Sequence, residues 1–429
     1  MRNWPIIFAI MLIGRSLGAA SPVTIDESLV RAAGIRSTAS QHLTLYTDLP
    51  ASPAIDELPA VFDQAFGQWC TFFAKRPADA GAWRVRAFLM LDRQRFAQAG
   101  LLPGALPSFR NGFAWDADVW IVEQPADYYR RHLLLHEGTH AFMNTVLGNC
   151  GPPWFMEGVA ELLATHRWVD GRLTLGYFPK TREEVDHWGR IKLVRESIAS
   201  GRRQSIDELM ALKPQGQLEN DVYGWCWALA TLLDAAPRYH DRFRAQLADV
   251  TRDDFNRRFR ERFASDWHDL LDDWQVFSST LVYGDDVRRA AIDFGPGKPL
   301  VGGRGEANVV VDRLWQTGGV RLEAGRRYQL RASGRFTLRA GPPAWACEAN
   351  GVSIHYHDAR PLGMLLAVVR PDAATAQSAF LDPQPVGLEA VVAPKTSGTL
   401  YLGVNDSPAD LDQHQGSVRV EIIELPGPP

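Results

Sequence analysis

The pattern of apolar residues changes twice along this chain, and these changes limit the folds available to it. Residues 22–127 mix alternating and helical segments, residues 128–285 carry mainly amphipathic helical spacing, and residues 295–429 carry short alternating runs rich in Gly and Pro. With 429 residues, the chain is too long for one ordinary core. We therefore predict an α+β fold, in which a mixed sheet and then a helical part precede a β-sandwich.

The composition limits the classes of partner that the protein is expected to bind. The net charge is −4, and 22% of the residues are charged. This balance gives no basic surface for nucleic acid or for an anionic membrane, so neither is expected as a partner. The arginine-rich segment 252–263 also contains acidic residues, and we interpret it as a solvated helix face.

The N-terminus has the order of an export signal. Arg2 is followed by an apolar run over 4–13 and by the small residues of 18–20. The run is too short for an ordinary membrane span, and no later segment is apolar enough for one. We therefore expect a signal peptide over 1–20 and a periplasmic or extracellular protein without a stable membrane span. Arg15 is atypical for a signal peptide, and a retained anchor is the alternative.

The four cysteines are Cys70, Cys150, Cys226 and Cys347, and their spacing is not that of a zinc finger. An exported chain can pair four cysteines in three ways. A bridge between Cys150 and Cys226, which both lie near the candidate site, is one hypothesis. Four free buried thiols are the other.

One pentapeptide supplies candidate metal ligands. His136-Glu137-Gly138-Thr139-His140 lies inside a helical run over 128–147, so the two His share one face of a helix, one turn apart. Two imidazoles so placed can bind one zinc ion at ~2.0–2.1 Å, and Glu137 is placed to take a proton from a water molecule at the metal. His132 lies another turn back, but residues i and i+8 are about 12 Å apart along a straight helix. We therefore expect it outside the ligand set.

A third ligand is expected downstream, because a catalytic zinc site usually takes three protein ligands. The segment 153–161 reads P-W-F-M-E-G-V-A-E and follows a turn rich in Gly and Pro. Glu157 and Glu161 lie on one face of the helix that it predicts. The spacing alone leaves both as candidates.

H-E-x-x-H followed by W-F-x-E-G-x-A-E resembles the gluzincin zinc metallopeptidases, in particular the peptidase MA-like branch. The resemblance implies a zincin-type peptidase domain, with Glu157 as the third zinc ligand and Glu161 as a residue that holds a zinc-bound His or the helix pair in place. It also implies that Tyr223, which begins a Y-x-x-x-W-A-L segment, stabilises the oxyanion. The alternative for Tyr223 is a tyrosine at the start of a core helix. His187, Tyr177 and His240 are weaker candidates for the same role.

In gluzincins an extended substrate lies along the sheet edge before the motif helix, as in strand addition. By this analogy Gly112, Phe113, Trp120 and Val122 line the cleft, and the substrate is a peptide or a protein. Two other interpretations stay open. One is a non-catalytic, carbohydrate-binding exported protein on an inactive zincin scaffold, and the other is a zinc hydrolase that cleaves something other than peptide.

Several C-terminal segments, among them W-Q-T-G-G-V at 315–320 and G-V-N-D at 403–406, resemble the galactose-binding-like sandwich of PA-I lectins, over roughly residues 300–424. In those lectins a loop before the last strand holds calcium, which binds sugar hydroxyls. Asp406 and Asp410 occupy this loop. The family's paired Asn is replaced by Gln413-His414, and neutral His is a poor calcium ligand. The resemblance implies carbohydrate binding, and a sandwich that only supports or targets the peptidase is the alternative.

Overall fold

A computed structural model describes residues 8–11, 23–213, 215–218 and 220–426 of the chain. The chain forms two compact units, of which the first comprises Met1–Asp234 and Tyr239–Arg262 and the second Ala235–Arg238 and Phe263–Pro429. The architecture mixes helices with several sheets and is rich in strands towards the C-terminus, as predicted. The predicted signal peptide lies outside the described residues, apart from 8–11.

The first unit contains a five-stranded mixed sheet and two small strand pairs. Its strands are β1 (Phe8–Met11), β2 (Arg36–Ala39), β3 (Leu43–Thr47), β4 (Val85–Met90), β5 (Gly112–Trp115), β6 (Asp118–Val122), β7 (His166–Val169), β8 (Arg172–Leu175) and β9 (Gln215–Leu218). The main sheet has the order β2-β3-β4-β6-β5, with β3, β4 and β6 parallel and β2 and β5 antiparallel at the edges. The strand directly before the motif helix, β6, is therefore internal, and the edge strand beside it is β5.

The helices of this unit cover the sheet and form most of its second half. They are α1 (Glu27–Ala32), α2 (Pro53–Asp56), α3 (Leu58–Phe72), α4 (Arg93–Gln98), α5 (Asp127–Phe142), α6 (Pro153–Ala164), α7 (Arg190–Ala199), α8 (Ile206–Met210), α9 (Asn220–Ala235), α10 (His240–Gln246) and α11 (Phe255–Arg262). Helix α5 continues into a wider π turn over Met143–Leu147 and stops at Gly148, whose φ of 86° is left-handed. Helix α6 then starts with Pro153 at its first position, where the missing N–H costs nothing.

Helix α5 is the centre of the first unit, and nearly all of its residues are buried. A β-carbon at Gly138 would lie 2.7 Å from the ring of Phe62 and 2.8 Å from that of Trp69, so α5 packs on α3 with no room for a side chain there. Likewise, a β-carbon at Gly158 on α6 would lie 2.7 Å from the carbonyl oxygen of Cys226 on α9. These close approaches fix α5, α6 and α9 against their neighbours.

The second unit begins with α12 (Trp267–Thr280) and α13 (Val287–Ala290), whereas the sequence pattern groups α12 with the preceding helical part. Its strands are β10 (Lys298–Pro299), β11 (Arg304–Val310), β12 (Trp315–Leu322), β13 (Arg327–Ser333), β14 (Phe336–Arg339), β15 (Trp345–Cys347), β16 (Asn350–His357), β17 (Arg360–Pro371), β18 (Gln384–Pro385), β19 (Glu389–Val392), β20 (Gly398–Val404) and β21 (Ser417–Leu425).

Two sheets of the second unit share one apolar core. Strands β10-β12-β20-β17-β16 form one sheet, with β18 paired to β17, and β11-β21-β13-β19 form the other. Leu322 and Leu400 from the first sheet and Leu330 and Ile422 from the second are fully buried in the same cluster. The predicted β-sandwich is therefore present.

Two further predictions concern cysteines and membranes. All four cysteines lie in the described part of the chain, and each is free and buried, so the proposed bridge between Cys150 and Cys226 is wrong. Instead, Sγ of Cys150 lies 3.1 Å from Oδ1 of Asn144. Among the described residues, every helix is too short or too polar to cross a bilayer.

Candidate metal centre

Three side-chain atoms from two helices meet in the first unit. His136 and His140 lie one turn apart on α5, and Glu157 lies in the second turn of α6. The Nε2 atoms of the two imidazoles are 3.1 Å apart. Oε2 of Glu157 lies 3.2 Å from Nε2 of His136 and 3.5 Å from Nε2 of His140. The three residues are almost inaccessible to solvent.

This arrangement fits a zinc ion. Tetrahedral bonds of ~2.0–2.1 Å place neighbouring ligand atoms about 3.3–3.4 Å apart, close to the three observed spacings. Two imidazoles and one carboxylate are also a donor set typical of catalytic zinc. Oε2 of Glu157 is buried and forms no well-aligned hydrogen bond with any described residue. A buried carboxylate needs a positively charged partner, and a zinc ion bound by the two imidazoles would be such a partner, so these residues could hold zinc.

A second group of potential ligands overlaps the first. His132, His136 and Glu161 also bring donor atoms together. However, Nε and Nη2 of Arg190 lie 2.9 and 2.8 Å from Oε2 and Oε1 of Glu161, respectively. A metal ion held by Glu161 would lie beside this buried guanidinium, which repels it. The group that contains Glu157 is therefore the better metal centre of the two.

Two carboxyl groups near this centre, those of Glu157 and Glu161, have a lowered pKa. Burial acts to raise the pKa of Glu157, but the imidazoles of His140 and His136 outweigh it and lower the pKa to about 2. For Glu161, burial is likewise outweighed, by Arg190 and then His132, which hold its pKa well below the usual range. Both carboxylates are therefore ionised at neutral pH.

Glu137 behaves differently from these two carboxylates. Burial, followed by the negative charges of Glu157 and Glu161, raises the pKa of Glu137 to about 8, although His140 opposes the shift. A carboxyl group with a pKa near neutrality is suited to exchanging protons. Its carboxylate packs against the edge strand β5, where a β-carbon at Gly112 would lie 2.4 Å from Oε1 of Glu137.

Tyr223, the candidate oxyanion donor, lies near the same centre. It sits in the first turn of α9, and its ring centroid is 6.4 Å from that of His136. Burial and then the charges of Glu157, Glu161 and Glu137 raise the pKa of its phenol well above the usual value. The phenol therefore keeps its proton and can donate a hydrogen bond. The rival residues have other partners: Tyr177 donates to Glu184, Nδ1 of His240 lies against the carbonyl oxygen of Asp234, and Nε2 of His187 lies 3.8 Å from Oδ1 of Asp186.

The predicted cleft residues divide between the two faces of the sheet. Gly112 faces Glu137, but Phe113 and Trp120 are buried in an apolar cluster, and Val122 packs against the same cluster. The indole N–H of Trp120 donates to the carbonyl oxygen of Leu101 at 2.7 Å. Phe113 and Trp120 therefore belong to the core and do not line a cleft, because successive side chains of a strand point to opposite faces.

In the second unit, His414 contacts both the loop that was predicted to bind calcium and the backbone of Val311. Nε2 of His414 lies 2.8 Å from Oδ2 of Asp406, and its Nδ1 lies 2.8 Å from the carbonyl oxygen of Val311. Asp410 accepts a hydrogen bond from Gln413. Calcium needs six to eight oxygen ligands, but both carboxylate oxygens of Asp406 already have partners, Oδ1 the backbone N–H of Ser407 and Oδ2 the imidazole of His414. These residues do not fit calcium.

A cleft of about 180 Å³ opens beside this loop. Arg339, Trp345, Tyr356, Asp406 and Asp410 line part of it. The guanidinium carbon of Arg339 lies 4.6 Å from the ring centroid of Trp345, and Tyr356 is 63% exposed. His355 also stacks on Trp345, so the cleft combines the exposed ring of Tyr356 with charged groups.

Comparison with known proteins adds little. No protein-family model matches the chain, and a search of curated proteins gives no match. Among solved structures, the N-terminal domain of EclA, described as a PllA-like lectin, is 18% identical over 29% of this chain and all of that chain, with a TM-score of 0.23. An aminopeptidase N family protein from Idiomarina loihiensis is 11% identical over 91% of this chain and 69% of that one, with a TM-score of 0.28. TM-scores this low assign neither a fold nor a function.

Sequence reasoning missed Arg190, the buried partner of Glu161. A single arginine inside a predicted helix carries no pattern that distinguishes it from a solvated one. Its only signal was indirect, because a buried Glu161 demands a positively charged partner.

Proposed function

We propose that this protein is a zinc-dependent peptidase of the gluzincin type, exported from the cell. The observation that carries the proposal is the triangle of donor atoms from His136, His140 and Glu157, with the buried carboxyl group of Glu137 in the same helix turn. Such a set of ligands and base is what hydrolysis by a metal-activated water requires.

Each residue has a distinct task in this proposal. His136, His140 and Glu157 hold zinc, which when bound supplies a Lewis acid that polarises the scissile carbonyl and acidifies a water molecule. Glu137 accepts a proton from the attacking water and returns it to the leaving amine. The phenol of Tyr223 donates a hydrogen bond to the oxygen on which negative charge develops.

The position of β5 favours a peptide as substrate. It is an edge strand, and its outer side pairs with no other strand among the described residues. An extended peptide can add to such an edge through main-chain hydrogen bonds. Gly112 places this edge directly against Glu137, so a peptide bound there would pass next to the proposed base.

Glu137→Gln tests the proposal. Glutamine keeps the size and shape of the side chain but cannot accept the proton, so cleavage of a peptide library by the purified protein should fall by about 10²–10⁴-fold. Zinc content should stay at one ion per chain. Glu196→Gln on the exposed face of α7 is the matched control and should leave cleavage unchanged. Unaltered cleavage by Glu137→Gln would overturn the mechanism.

The cleft in the second unit favours a second candidate function, carbohydrate binding. Arg339 and His355 both lie against the ring of Trp345, but the exposed ring of Tyr356 beside two carboxylates suits a ligand rich in hydroxyl groups. Because the loop does not fit calcium, binding should be the same with and without a chelator. A glycan array probed with the wild type and with Tyr356→Ala tests this. Equal signals from the two proteins would exclude the cleft as a sugar site.

A further inference from the structure

Arg190 is a buried cation that the proposed reaction does not use. It is the first residue of α7 and is only 3% exposed. It binds Glu161 through two parallel hydrogen bonds of 2.8 and 2.9 Å. Its guanidinium carbon also lies 5.8 Å from the ring centroid of Tyr223. Arg190 thus contacts the carboxylate of Glu161 and lies near the ring of Tyr223, the proposed oxyanion donor.

Glu161 connects Arg190 to the imidazoles of α5. Oε1, which accepts from Nη2 of Arg190, lies 3.4 Å from Nδ1 of His136. Oε2, which accepts from Nε, lies 3.3 Å from Nε2 of His132. The carboxylate therefore faces a guanidinium on one side and two imidazoles on the other.

This arrangement affects which ring nitrogen of His136 is available to bind a metal ion. An imidazole binds a metal ion through one nitrogen, and an acceptor opposite the other nitrogen fixes its tautomer and its ring orientation. Nδ1 of His136 lies 3.4 Å from Oε1 of Glu161, so Nε2 is the nitrogen left for the triangle of donor atoms.

We infer that Arg190 is a positioning residue for the metal centre: it holds Glu161 in place, and Glu161 orients His136 for zinc binding. The inference rests on the proposed function, since it assumes zinc at His136, His140 and Glu157. A planar guanidinium grips both carboxylate oxygens at once, whereas a lysine ammonium is a point charge that cannot fix the orientation of the carboxylate plane. Lysine at this position should keep the charge but lose the alignment.

The zinc dissociation constant measures this role independently of catalysis. It is obtained by competition with a chromophoric chelator, using the full-length protein. Arg190→Lys should weaken zinc binding by about 10- to 100-fold, the usual effect of losing a residue that orients a ligand. Arg86→Lys is the matched control, because Arg86 grips Asp118 through two hydrogen bonds in the same unit. It should leave the zinc dissociation constant unchanged.

A double-mutant cycle separates positioning from general damage to the fold. If Arg190 acts through Glu161, then Arg190→Lys should change zinc affinity far less in a Glu161→Gln background than in the wild type. A purely structural role would instead lower the unfolding temperature in both backgrounds and leave the ratio of dissociation constants the same. Equal effects in the two backgrounds, or an unchanged dissociation constant in Arg190→Lys, would overturn the inference.

The wild-type measurement distinguishes the two proposals. If the wild type binds one zinc ion per chain and Arg190→Lys binds it equally well, the inference fails and the proposed function stands. If the wild type binds no zinc, the proposed function fails and the inference fails with it.

Discussion

Gly112 lies so close to Glu137 that a β-carbon at position 112 would stand 2.4 Å from Oε1 and 2.9 Å from Cγ of the glutamate. The carboxyl group is buried, and it would have to move to make room for a β-carbon. The edge strand therefore sets the position of the proposed base, and only glycine leaves that position free.

Gly112→Ala should displace the carboxyl group of Glu137 without removing a metal ligand. Because a shift of about 1 Å at a reacting group can cost 10²-fold in rate, we expect peptide cleavage to fall by roughly that factor while the zinc content stays the same. Steady-state cleavage rates and zinc analysis of one preparation check this. Gly104→Ala, where a β-carbon would meet no atom within 4 Å, is the control. Wild-type rates for Gly112→Ala would show that the base lies elsewhere.

Glu157→Gln should distinguish a zinc ligand from a supporting carboxylate. The amide is a much weaker donor than the carboxylate, so zinc affinity should fall by more than the 10- to 100-fold expected for a residue that only orients a ligand. The loss of zinc affinity in Glu161→Gln should lie within that 10- to 100-fold range. Chelator competition on both variants gives the comparison. A larger loss for Glu161→Gln would move the metal to the group of His132, His136 and Glu161.

The pair of His414 and Asp406 should make the second unit sensitive to pH. Burial acts to lower the pKa of His414, but the hydrogen bonds to Asp406 and to the carbonyl of Val311 outweigh it and raise the pKa above the ordinary value of 6.5. Since the folded pKa is the higher one, the stabilisation is fully present below about pH 6.5 and is lost as the pH rises through the folded pKa.

The slope of the unfolding free energy against pH measures this effect, and one proton can contribute up to about 1.4 kcal/mol per pH unit. Urea unfolding of the wild type between about pH 6 and pH 9 should show stability falling. His414→Asn and Asp406→Asn should both flatten that fall. Parallel slopes in the wild type and both variants would mean that the imidazole does not gain a proton on folding.

Local periodicity predicted the parts of the site that lie within single elements. The i, i+4 spacing of His136 and His140 places both imidazoles on one face of α5, and their Nε2 atoms converge as expected. The turn rich in Gly and Pro limited the third ligand to Glu157 and Glu161, and the resemblance to the gluzincins selected Glu157. The strands of the sandwich were predicted for the same reason, since alternation is a local signal.

Interactions between distant elements could not be predicted in this way. Trp120 is buried because it packs into an apolar cluster that residues from several elements form. Strand β5 is an edge strand because of the order of the strands in the sheet. Neither fact can be read from a short stretch of sequence. The pairing of Arg190 with Glu161 joins two helices whose packing only the fold defines. The supposed bridge between Cys150 and Cys226 was wrong for the same reason, because nearness to a shared site does not bring two sulfur atoms together.

Zinc titration into chelator-stripped protein tests the central claim most directly. Cleavage of a peptide library is followed while zinc is added back to the purified protein. We predict that the stripped protein is inactive and that cleavage rises in proportion to zinc and saturates at one ion per chain, as a single site of His136, His140 and Glu157 requires. Cleavage that is the same before and after zinc is removed, or no cleavage once one zinc ion is bound per chain, would contradict it.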